Sequence, residues 1–237
     1  MSSNLVSNFL PNHNGLRFIN YWPENTPHYS AKTSLGDITI GDAHNGLCGG
    51  MVFTVVDFFE AGLQAPTEVA PPEFDSPLYN YIVRRLYDSF NLPTGFLKYY
   101  EWMTTPEHDS GIWLFNRRGV SWSTVVREWP KLRAIIDSGH PCPIGLVTML
   151  SVNPRDLGNN HQVLAYGYDL DENNNLTLHL YDPNTLNWRA NDVRLSVSLN
   201  NPSKGSSIVH NVNIGHQIRG FFVVDYSFSD PSGLLDL

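Results

Sequence analysis

Cysteine is scarce in this 237-residue chain, which holds two, Cys48 and Cys142. Two thiols cannot build the multi-bridge framework of a disulfide-held domain, so stability must come from a hydrophobic core. Charge is sparse as well: charged residues make up 16%, the formal net charge is -8, and there is no run of Lys or Arg. Binding nucleic acid or an anionic membrane requires a basic surface, so neither partner is expected. No segment approaches the roughly 20 consecutive apolar residues that span a bilayer, so no membrane span is expected. The opening residues MSSNLVSNFLPNHNG lack an early positive charge and an apolar stretch of about 7–15 residues, so they do not read as a secretory signal, and a cytoplasmic location is expected. There is no internal repeat and no low-complexity tract.

What is present suits a packed domain. Hydrophobic residues make up 41% and aromatics 12%, a balance that disordered chains do not have. The length fits a single domain with a sizeable core. Residues 1–45 are polar and rich in turn signals, with one short strand expected at Gly36–Ile40. After Cys48, residues Met51, Val52, Val55, Val56, Phe59 and Leu63 recur at helical spacing, and Gly62 and Pro66 mark the end of that helix. A proline-rich loop follows. Leu78, Ile82, Leu86 and Phe90 then predict an amphipathic helix, Leu97–Met103 another helical piece, and Ser121–Ser138 a helix with Pro130 at a kink or early in a second segment. The abundant tryptophans, Trp102, Trp113, Trp122, Trp129 and Trp188, read as core packing.

The second half changes period. Pro143–Val152 is a continuous apolar run, as a buried strand would be. Gln162–Asp169 and Leu176–Tyr181 flank the turn cluster Asp171–Asn175 and read as a hairpin. Val193–Leu199, Ile208–Ile214 and Gly220–Tyr226 are further strands. A mainly helical part over 1–140 followed by a mainly antiparallel sheet over 141–237 predicts an α+β fold.

The chemistry centres on Gly46–Met51, GLCGGM. A cysteine opening a buried helix meets unpaired first-turn N–H groups and the positive end of the dipole, both of which favour the thiolate. Gly49 and Gly50 are expected to let a substrate carbonyl approach the backbone, so they are substrate-cleft candidates together with Asn160. Of the nine histidines, His161 has the best context for a base, directly before the strand VLAYGYD. If that strand pairs with LTLHLY through the DENNN turn, Asp182 lies beside His161 and can orient its ring. Asp42, His44, Cys48 and His161 are zinc-ligand types, but their spacings match no standard metal site and neither CxxC nor HExxH occurs. No metal and no cofactor are expected.

The order Cys, His, Asp, with the pieces GLCGGM, NNHQVLAYGYD and LHLYDPN, resembles the papain-like cysteine peptidases, most closely the bacteriocin-processing, double-glycine branch. It is also similar to a group of uncharacterised microbial proteins. The resemblance implies a papain-like fold and Cys48 as nucleophile, His161 as general base and acid, and Asp182 as orienter. It implies an amide bond, peptide or isopeptide, in a peptide or protein substrate, with a thioester intermediate. The family usually carries an oxyanion-donating Gln about six residues before the nucleophile. Asp42 stands there instead and cannot donate when ionised. His44 and Asn45 are the neighbouring oxyanion candidates. Gln162 is a fourth, although strand alternation should turn it away from His161. The same parts serve deamidases, transglutaminase-like enzymes and thioesterases, and a scaffold without activity would be a binding module.

Overall fold

The computed structural model describes residues 1–33, 36–40, 42–91, 94–110 and 117–235. Trp113 lies outside the described residues. The chain begins with strand β1 (Ser2–Leu5) and a helical turn α1 (Pro11–Asn14), followed by a hairpin of β2 (Tyr29–Thr33) and β3 (Gly36–Ile40). Helices α2 (Cys48–Glu60), α3 (Pro77–Ser89) and α4 (Thr94–Thr104) come next, then α5 (Val120–Trp122), a π-helical segment Ser123–Glu128, and α6 (Trp129–Asp137). The remaining strands are β4 (Cys142–Val147), β5 (His161–Leu170), β6 (Asn175–Tyr181), β7 (Arg194–Ser198), β8 (Ile208–His210) and β9 (Gly220–Val223). The fold is α+β. Seven strands form one antiparallel sheet in the order β8-β7-β6-β5-β4-β9, with β1 pairing the distal half of β5.

The helices form where apolar spacing and end signals agree. In α2 every residue from Gly49 to Phe58 is buried, and Gly62, with φ of 66°, turns the chain out after the last helical residue. Ser76 caps α3 by accepting the N–H of Tyr79, and Pro77 occupies the first helical position, where a missing N–H costs nothing. Helices and sheet share one apolar core that includes Met51, Val52, Val55, Ile82, Leu146, Leu164 and Phe222. No helix among the described residues is long and apolar enough to cross a membrane.

The mainly helical part, 1–140, also lends β1 to the main sheet. Four expectations need correction. The strand expected over Pro143–Val152 ends at Val147, because the next residue leaves the ladder: the Thr148 N–H goes to Asn160 Oδ1 and its hydroxyl to the Asn159 carbonyl. The segment expected over Gly220–Tyr226 is a strand only to Val223, and that over Ile208–Ile214 only to His210. Trp188 is 77% exposed and is not part of the core, whereas Trp102 and Trp129 are.

Pro130 explains the π-helical turn before α6. It has no N–H to donate, so the regular bonding pattern breaks just ahead of it. The break has a use. Strand β9 is an edge strand, and its outward groups are taken up by side chains: Thr124 Oγ1 accepts the Phe221 N–H at 3.2 Å and Glu128 Oε2 accepts that of Val223 at 2.9 Å. Lys98 Nζ donates to the Val223 carbonyl at 3.0 Å.

Candidate active site

Cys48 is the first residue of α2. The first helical bond runs from Met51 N–H to the Leu47 carbonyl at 2.9 Å, so the N–H groups of Cys48, Gly49 and Gly50 have no acceptor within the helix. The sulfur is half-buried and lies within side-chain hydrogen-bonding reach of His161, and the Gln162 and Gly49 N–H groups are aimed at it. Burial works against the charged thiolate. The charge and hydrogen bond of His161 and the two N–H groups outweigh it, and the thiol pKa falls below its ordinary value.

The β5–β6 hairpin brings the second and third groups together. Leu164 pairs with Tyr181, and continuing that register puts position 182 opposite 163, on the same face as 161. His161 Nε2 is 2.8 Å from Asp182 Oδ1. Asp182 is fully buried and also accepts the N–H groups of Asn184 and Asn213, both at 2.9 Å, and the Thr185 hydroxyl at 2.8 Å. Burial opposes the carboxylate, but His161 and these donors hold its pKa below the ordinary value. For His161 burial opposes the cation, while the Cys48 charge and the Asp182 hydrogen bond push its pKa up to about 10. A lowered thiol pKa beside a raised imidazole pKa favours a thiolate–imidazolium pair against the buried carboxylate. Cys142 is the opposite case: burial raises its pKa far above the ordinary thiol value.

A cavity of about 290 Å³ opens beside Cys48 and His161. Its apolar wall is Leu86, Phe90, Tyr99 and Leu157. Asn160 lines it too, as expected, with its amide spent on Thr148 N–H and the Leu157 carbonyl. Gly49 and Gly50 do not line it. Both are buried against α3 and β5: a Cβ on Gly49 would lie 2.3 Å from Ser89 Oγ, and one on Gly50 2.1 Å from the Ile82 carbonyl oxygen. These glycines serve close packing, and the glycines that line the cavity are Gly46 and Gly158.

The oxyanion candidates fall in different places. Asp42 lines the cavity, but its carboxylate accepts the His44 N–H and caps the short 3-10 turn Ala43–Asn45. The His44 ring turns to the Trp22 carbonyl, 3.3 Å away, and does not line the cavity. The side chain of Asn45 lies outside the described residues. Gln162 alternates to the face where α2 and α3 pack; its Nε2 donates to Ser89 Oγ at 3.3 Å, although the residue still contributes to the cavity wall.

Three neighbours carry no sequence signal. His28 lines the cavity with Nδ1 3.1 Å from the Tyr87 hydroxyl, and burial lowers its pKa. Asn213 clamps Asp182 from a segment 31 positions later. Asn20 Oδ1 accepts the Leu47 N–H at 2.7 Å, while its Nδ2 donates to Asn184 Oδ1 at 3.1 Å, tying the start of α2 to the Asp182 loop. Among the described residues no group of three or more His, Cys, Asp or Glu side chains converges as metal ligands. A larger groove of about 660 Å³, lined by Glu60, Ser138, His140, Tyr226 and Phe228 among others, shares no residue with this site and has no thiol in its wall. No family model, curated protein or solved structure matches the chain.

Proposed function

We propose that this chain is a cysteine hydrolase of papain-like architecture. A nucleophile opening a helix, with base and orienter on successive antiparallel strands in that chain order, supports the class. Within it, we assign amide bonds of peptides or proteins as the substrate, in line with the resemblance of the three segments. The observation that carries the reading is the buried relay Cys48–His161–Asp182, in which the thiol pKa is lowered and the imidazole pKa raised.

The chemistry follows from that pairing. The Cys48 sulfur attacks the carbonyl carbon and the carbonyl π pair moves onto oxygen, where N–H groups at the start of α2 stabilise it. Collapse breaks the C–N bond and His161 gives its proton to the departing amine. A thioester remains on Cys48. His161 then takes a proton from water, the resulting hydroxide attacks the thioester, and the acid leaves as the thiolate is restored. Asp182 holds the ring in register and stabilises its charged form.

The decisive test is labelling with a vinyl-sulfone probe. Cys48 should react faster than Cys142, and the difference should vanish in His161→Ala. Equal labelling in the unaltered protein rules the hydrolase out. A second reading, a papain-like binding module without turnover, is favoured by one observation: an acceptor, Asp42, occupies the position six residues before the nucleophile. Rapid Cys48 labelling with no release of product from any acyl donor would select it.

A further inference from the structure

Resting on the hydrolase reading, we infer that Asn20 supplies the side-chain donor to the oxyanion, together with the N–H of Cys48. The orientation of its amide is fixed. Oδ1 accepts two groups that only donate, the Leu47 N–H at 2.7 Å and the Trp22 indole N–H at 3.0 Å. Nδ2 must therefore occupy the other side. One of its two N–H bonds goes to Asn184 Oδ1 at 3.1 Å, and the other has no partner among the described residues.

The Nδ2 end of Asn20 stands beside Gly46, two residues before the nucleophile. Asn20 lines a shallow polar depression together with Gly46, and Gly46 also lines the apolar cavity that contains Cys48. The two hollows meet at that residue, next but one to the nucleophile. Gly46 has φ of 94°, and a Cβ there would fall 2.9 Å from Asn20 Nδ2. The absence of a side chain leaves the amide nitrogen uncovered. Because Asn20 already holds the Leu47 N–H, the next backbone donor along the chain is Cys48 N–H, free at the helix start. A substrate oxygen can then accept from both. Asp42 and Gln162 bond other partners, and His44, which shares the polar depression with Asn20, turns its Nδ1 to the Trp22 carbonyl.

The test separates acyl transfer from bare thiol reactivity. Attack of Cys48 on p-nitrophenyl acetate forms an oxyanion, expels p-nitrophenolate with its bonding pair and leaves an acetyl thioester. Alkylation by iodoacetamide displaces iodide and forms no oxyanion. Asn20→Asp is isosteric and keeps the acceptor for Leu47 and Trp22, but it removes the N–H donors. The acylation burst should slow by about 10²–10³-fold, while the plateau alkylation rate of Cys48 at high pH stays unchanged. Equal loss in both reactions would make Asn20 a purely structural strut, and an undiminished burst would remove any role; either outcome overturns the inference. A burst absent from the unaltered protein would instead sink the hydrolase reading and this inference with it. Should the variant misfold, the unaltered protein decides: the hemithioacetal formed with acetaldehyde should shift one Asn20 side-chain amide proton downfield, and no shift would refute the assignment.

Discussion

His161 Nε2 stands 2.8 Å from Asp182 Oδ1, which leaves Nδ1 as the ring nitrogen that serves Cys48. The carboxylate therefore selects both the tautomer and the direction of the ring. Asp182→Ala removes the acceptor for Asn184, Asn213 and Thr185 at once. A stability loss of about 3 kcal/mol is expected, measured by urea unfolding, along with slower alkylation of Cys48 at neutral pH. Unchanged stability would mean that the buried carboxylate contributes nothing to the site.

Acyl transfer needs the thiolate and the imidazolium together. The lowered Cys48 pKa starts the rise below the ordinary thiol range, and the fall comes as His161 loses its proton, near pH 10. The two limbs belong to the coupled pair. A bell with a broad alkaline shoulder is expected for kcat/KM. Because the Asp182 hydrogen bond and charge raise the His161 pKa, Asp182→Ala should draw the alkaline limb to lower pH. A profile that tracks an unperturbed thiol would contradict the pairing.

Gly50→Ala should destabilise more than Gly49→Ala. The added methyl at Gly50 meets the Ile82 carbonyl and backbone of α3, which cannot step aside, and overpacking of this kind costs about 1–3 kcal/mol. At Gly49 the nearest atom is the Ser89 hydroxyl, which can rotate. Thermal unfolding of the two variants checks the order, and the reverse order would show that α2 and α3 do not approach through Gly50.

Glu128→Leu tests how the edge of the sheet is closed. It leaves the Val223 N–H unpaired, at a cost of about 1–3 kcal/mol, and hydrogen exchange at Val223 should accelerate. Protection equal to that of the unaltered protein would mean that another group seals β9.

Much of the centre was legible in the residues. The run GLCGGM before an apolar stripe marked the start of α2, and two strand segments flanking DENNN brought His161 to Asp182 through register alone. What escaped was set by distant partners. β1 has only four residues and an apolar pattern too short to recognise; it is a strand because the distal half of β5 lacks a neighbour there. Asn20 and Asn213 sit in turn-like sequence, and their value comes from what they touch across the fold. Gly49 and Gly50 were visible as unusual, but helix–helix approach and substrate approach both ask for a missing side chain, and only packing distinguishes them.

The first 20 residues lend a strand to the sheet and, through Asn20, a brace to the start of α2. Proteolytic clipping within them would disarm the thiol rather than unmask it. A cut there takes away a strand and a brace together, so it would lower the reactivity expected of Cys48.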